Sequence, residues 1–258
     1  MPLVAGLRVV LAALFMLALR RPRRGEADAR AWRYAIALGV VMAAMNSLFY
    51  LSISRIPLGV AVTIEFWGPL AVAMLGSRHV RDIVWVVLAA AGIYLLAGAR
   101  LTADDAIGVL AAVGAGACWA GFILLGGRLA RAWPNGRGLT VSLGAASLVV
   151  LPLALAGGAI ASILAEPSVL VAGLALAALS SAIPYTLELL AMRRVPSSTY
   201  GVLMSLEPAV AAVVGFVFVG QVLAGLDLVA IAMVAVASAG ASLTARRLVV
   251  APGELEAA

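Results

Sequence analysis

At 258 residues, with 64% apolar and 12% charged side chains and a mean hydropathy of +1.12, the chain lies far from the soluble norm of roughly 45–50% apolar and about 25% charged. So few charges cannot cover a water-facing globule, whereas a bilayer needs almost none, so an integral membrane protein is implied. The net charge of +6 rests on arginine alone; the single cysteine, Cys118, excludes an internal disulfide, and the single histidine, His79, excludes a histidine-rich metal site.

A helix needs about 20 largely apolar residues to cross about 30 Å of hydrocarbon. Taken in chain order, nine runs qualify: 2 to 19, 34 to 54, 58 to 77, 83 to 99, 106 to 127, 139 to 158, 168 to 192, 198 to 220 and 226 to 245. They are long and continuous rather than short and alternating, which indicates helices and not barrel strands. The first run lacks a basic region before it and is followed by Arg20 and Arg21, so it reads as a retained helix rather than a cleaved signal peptide. Small-residue stretches such as Gly114-Ala115-Gly116-Ala117 suit close backbone packing, and they permit a homodimer without requiring one.

Arginine placement gives an orientation. Alternate loops hold 15 arginines on one side against 3 on the other, namely Arg8, Arg55 and Arg100. The richer side is expected in the cytoplasm, with the tail 248 to 258, and Met1 outside. Nothing interleaves these arginines with aromatics in the manner of a nucleic-acid surface, so they set topology and meet anionic lipid.

Arg55-Ile56-Pro57 is echoed by Arg194-Val195-Pro196 at an offset of 139, and Pro69 meets Pro208 at the same offset. Each matching hairpin is followed by one more span. The sequence therefore divides into a first repeat, 1 to 100, with four spans and a second, 106 to 247, with five. Nothing in the first half matches the run at 106 to 127. Five-span copies must insert with opposite orientation, the inverted-repeat plan of secondary transporters. The expected fold is an all-α inverted-repeat membrane bundle of nine transmembrane helices.

Three sets of residues carry a family resemblance. Asn46-Ser47-Leu48-Phe49-Tyr50-Leu51-Ser52-Ile53, with Ile56-Pro57-Leu58-Gly59 and Glu65-Phe66-Trp67-Gly68-Pro69, is the first. The second is Gly114-Ala115-Gly116-Ala117-Cys118-Trp119-Ala120, and the third is Pro184-Tyr185-Thr186-Leu187-Glu188 with Leu203-Met204-Ser205-Leu206-Glu207-Pro208-Ala209. Together they resemble the EamA branch of the drug/metabolite transporter superfamily, and within it the inner-membrane threonine and homoserine exporters. The resemblance implies ten helices where this sequence offers nine, a bacterial inner-membrane location, and export of small amino acids.

The candidate chemistry lies in polar groups inside the apolar runs. Glu65, Glu188 and Glu207 are each improbable facing lipid, since an ionised acid at the bilayer centre costs about 2.5–3.5 kcal/mol on insertion scales. They are expected to face an interior cavity, either protonated or paired with the ammonium of a substrate, and both states suit a proton-coupled pump. Pro69 removes the helical partner of the Glu65 carbonyl, Pro184 that of Ser180 and Pro208 that of Met204, leaving free acceptors at mid-depth. A packing kink is the alternative reading of any one proline.

Asn46 and Tyr50, four apart, share a helix face and offer an amide and a hydroxyl for a substrate carboxylate, although Asn46 could equally serve to bond another helix. Tyr185 and Glu188, three apart, form a second polar patch, and Trp119 with Phe66 or Trp67 could shape the cavity. Arg8 reads as snorkelling to the outer headgroups, and Asp227 and Gln221 as solvated. No cofactor or metal is implied. A membrane-embedded enzyme using Glu65 or Glu188 as general acid or base lacks paired Ser/His or Cys/His groups, and no GxxxxGK[ST] phosphate loop is present. Export of another metabolite or a drug, or an inactive truncated form, are the remaining alternatives.

Overall fold

The computed structural model describes residues 2–23, 25–75, 83–98, 103–133, 136–156, 166, 168–194, 204, 207–220 and 224–250. Among these, every regular element is helical: α1 (Pro2–Leu19), α2 (Ala29–Ile53), α3 (Leu58–Glu65), α4 (Trp67–Leu75), α5 (Ile83–Gly98), α6 (Ala103–Ala132), α7 (Arg137–Ala156), α8 (Ser168–Ala177), α9 (Ile183–Arg194), α10 (Glu207–Val219) and α11 (Gly225–Val250). A π-helical turn, Ala178–Ala182, joins α8 to α9. With α3 and α4 taken as one broken span and α8 to α9 as another, the described helices fall on the nine expected runs. The 28-residue stretch Asp105–Ala132, Ala29–Ile53 and Leu170–Met192 are long and apolar enough to cross a membrane by length and composition; the other apolar helices are shorter.

Local chemistry explains several boundaries. α2 begins five residues before the apolar run because Asp28 Oδ1 accepts the Ala31 N–H at 2.8 Å and so caps the helix start. Gly136, at φ 76°, turns the chain between α6 and α7 in a conformation that disfavours a side chain. Asp227 was expected to be solvated; it is instead 5% exposed, its Oδ2 accepting the Ala224 N–H at 2.8 Å at the start of α11. Arg78, His79, Arg81, Arg100, Pro196, Gln221 and residues 251 to 258 lie outside the described residues.

The chain forms two compact units, Met1–Tyr50 with Gly121–Arg194, and Leu51–Ala120 with Val195–Ala258. In the first, α1 packs along α7 and against α8 and the π turn. Gly39 of α2 lies so close to the Ser142 carbonyl and Ala145 that a Cβ there would have no room. In the second unit α5 packs along α11, and α10 along α3. There Gly240 lies under the Trp85 ring, where a Cβ would come within 2.5 Å. Small residues at such crossings let helices approach closely where lipid gives no hydrophobic drive. Each unit thus draws elements from both sequence halves.

Candidate functional site

The predicted site residues separate between the units. Asn46, Tyr50, Tyr185 and Glu188 fall in the first unit, and Glu65, Trp119 and Glu207 in the second.

In the first unit a polar cluster forms around Asn46, which is 6% exposed on α2. Its Nδ2 donates to the Met42 carbonyl at 2.8 Å and to the Tyr185 hydroxyl at 2.9 Å. Its Oδ1 accepts from Nη2 of Arg8. Tyr185, 8% exposed, rests against the Phe122 ring at 5.6 Å between centroids. Both N–H donors of the Asn46 amide are therefore engaged by protein groups, and Arg8 takes one of the two lone pairs of Oδ1, so Asn46 organises the cluster.

Arg8 departs most from expectation. Rather than reaching for headgroups, its guanidinium lies over the Tyr50 ring, 5.4 Å from the centroid, and Nη1 donates to the carbonyl and hydroxyl of Ser180, each at 3.3 Å. The reason is local. Pro184 has no N–H to give the carbonyl four residues back, the helix widens into a π turn across Ala178–Ala182, and the Ser180 carbonyl faces a new donor. Sequence reading missed Arg8 because its partners are 38 and 172 positions away; an arginine seven residues into an apolar run was the available signal. Glu188, partly buried on α9, follows Tyr185 by one turn.

In the second unit Glu65 ends α3 and is 6% exposed. The span breaks at Phe66, between Glu65 and Trp67, three residues before Pro69. The Glu65 carbonyl abuts Gly116 of α6, where an added Cβ would stand 2.5 Å from it and 2.5 Å from Trp67 Nε1. Trp67 Nε1 donates to the Val113 carbonyl at 2.9 Å. Phe66 and Trp119 meet edge to face at 5.4 Å and 88°, so the break is walled by aromatics. Glu207, exposed, is the first residue of α10. Pro208 is buried beside it, whereas Ser205 and Leu206, just past Met204, lie outside the described residues. Among the described residues no cation pairs with the Glu65 carboxylate, and no group of three or more His, Cys, Asp or Glu forms a metal cluster.

A helical membrane bundle with interrupted spans and polar groups buried at the interruptions has the form of a transporter. The sequence profile of the EamA-like transporter family matches residues 106–243, and the chain belongs to that family. It is 43% identical over 251 residues to the threonine/homoserine exporter RhtA of Escherichia coli (strain K12) and 42% identical over 252 residues to RhtA of Salmonella typhimurium (strain LT2), in both cases covering 95% of this chain and 83% of the relative. A protein crystal structure superposes with a TM-score of 0.61 at 18% identity, covering 95% of this chain and 89% of that one, a likeness of fold alone.

Proposed function

We propose that this protein is an inner-membrane secondary exporter of small amino acids, threonine and homoserine among them, working by alternating access and driven by proton entry. The observation that carries the coupling is Glu65, an acid 6% exposed at a helix break within an apolar run, with no cation paired to it among the described residues. Such a group cycles between a protonated state and a charged state whose cost rises with desolvation. One proton moving down 100 mV supplies about 2.3 kcal/mol, enough for roughly a fifty-fold gradient of a net-neutral solute without ATP. The relatives' names support the substrate class, and the arginine asymmetry supports a cytoplasmic C-terminus.

Efflux of labelled threonine and homoserine from proteoliposomes under an imposed proton gradient tests this reading. Gradient-dependent efflux of chemically unaltered substrate is expected. Transport that ignores the gradient would sink the coupling, and a substrate emerging altered would favour an enzyme instead.

A further inference from the structure

The first unit contains a cation whose partners are all neutral. Arg8 is held by the Asn46 amide oxygen, by the Ser180 carbonyl and hydroxyl, and by the face of Tyr50. Its Nε is buried and has no hydrogen-bond partner. No carboxylate pairs with it among the described residues. A guanidinium grips a carboxylate through a fork of parallel N–H donors, and Nε–H is one donor of the side-on fork. The protein thus engages both terminal nitrogens with neutral acceptors and leaves Nε–H, one donor of the side-on fork, without one.

The groups expected to hold a substrate carboxylate from the sequence were Asn46 and Tyr50. Both instead face Arg8, Asn46 through its only acceptor oxygen and Tyr50 through its ring. Asn46 Nδ2 is already shared between Met42 and Tyr185. The acceptor freed by Pro184 is also used to aim the guanidinium, so three separate features of two helices converge on orienting one cation. Convergence of this kind is more than a lipid-facing arginine requires, because a snorkelling side chain needs only to reach the headgroups.

We propose that Arg8 is the carboxylate-recognising residue of the amino-acid site, with Asn46, Ser180 and Tyr50 positioning it. This assignment rests on the exporter reading given above and deepens it: a zwitterion with its carboxylate on Arg8 neutralises a cation for which the described residues supply no counter-charge.

The test uses the full chain in proteoliposomes, with binding and efflux of L-threonine compared with L-threoninol, the amino alcohol that lacks the carboxylate. Wild type is expected to prefer threonine. Arg8→Gln is expected to weaken threonine binding by about 10- to 100-fold, the range of a charge-assisted hydrogen bond, while threoninol binding changes less than about threefold. Arg8→Lys keeps the charge without the fork and is expected to fall between them. Should Arg8→Gln fail to fold, as judged by monodispersity and melting in detergent, the comparison of Arg8→Lys with wild type decides. Retained preference for threonine over threoninol in a folded Arg8 variant overturns the assignment while leaving the exporter reading intact. A wild-type protein that binds neither threonine nor homoserine overturns both. Threonine loss matched by an equal threoninol loss means that Arg8 only supports the fold, and this too overturns the assignment.

Discussion

Asn46 donates a 2.9 Å hydrogen bond to Tyr185, and the two residues stand 139 positions apart, the same offset that pairs Pro69 with Pro208 and Arg55 with Arg194 in the sequence. Were the two halves copies related by an axis, equivalent positions would touch each other only where that axis passes. The same relation holds for whole elements: α1 shifted by this offset falls on α7 and α5 falls on α11, and each packs on its counterpart.

The bond at this junction is expected to be measurable. Tyr185→Phe removes one donor–acceptor pair but leaves Asn46 its bond to Met42, and should cost about 0.5–1.5 kcal/mol of stability. Asn46→Leu removes the acceptor of Arg8 Nη2 and the donor to the Tyr185 hydroxyl and should cost about 2–3 kcal/mol. Denaturation in mixed micelles, run as a double-mutant cycle, should give a coupling of about 0.6 kcal/mol or more between the two positions. Strict additivity would show that the bond contributes nothing.

Glu65→Gln is expected to abolish the response to a proton gradient while leaving threonine exchange across the membrane in place. Wild type should reach roughly a fifty-fold gradient per 100 mV if one proton moves per substrate. The variant should reach less than about twofold. Glu207→Gln should show the same defect to a lesser degree, since Glu207 is exposed where Glu65 is buried. Steady-state accumulation ratios decide the matter; a Glu65→Gln protein that still concentrates substrate excludes this carboxylate as the coupling group.

Gly116→Ala is expected to destabilise the second unit, because the new methyl would stand 2.5 Å from both the Glu65 carbonyl and Trp67 Nε1. Overpacking of this kind costs about 1–3 kcal/mol. Gly144→Ala in α7 is the matched control: nothing lies within 4 Å of its added Cβ, so stability should stay equal or rise by up to about 1 kcal/mol from the helix propensity of alanine. Melting temperatures of the two variants in the same detergent give the comparison, and equal values would contradict the close approach.

Pro184→Ala restores an N–H able to reach the Ser180 carbonyl, in competition with Arg8. The expected outcome is a regularised turn across Ala178–Ala182, a well-folded protein, and threonine affinity reduced by about three- to tenfold, a loss of roughly 1 kcal/mol. Exchange of the new backbone amide at the substituted position, read beside substrate affinity, checks both halves of the expectation.

The spans were legible because hydrophobic length is a property of contiguous residues. The cuts within them were only partly so. Pro69 signals a break, yet the interruption falls at Phe66, where the Glu65 carbonyl meets Gly116 some fifty residues away. No local pattern reports that approach. Asn46 and Tyr185 were recognisable as polar groups in apolar surroundings, but that they bond to each other depends on how distant helices cross. Arg8 escapes a sequence reading for the same reason: its place in α1 resembles that of a headgroup anchor, and only the docking of α2 and the π turn against α1 reveals its partners. Asp227 resembles a loop acid in sequence and becomes buried because it caps α11.

The mixing of early and late helices within each unit governs how the protein is made. The segment 1 to 50 emerges from the ribosome long before 121 to 194, with which it forms one unit, so α1 must wait in the bilayer with only α2 from its unit until α7 and α8 are threaded beside it. The cation on α1 can meet Asn46 and Tyr50 of α2 early, but it spends that interval without the Ser180 carbonyl and hydroxyl that the π turn later brings. A gene cut between α5 and α6 would yield two polypeptides, neither able to complete either unit alone, and activity would return only where both are inserted into the same membrane.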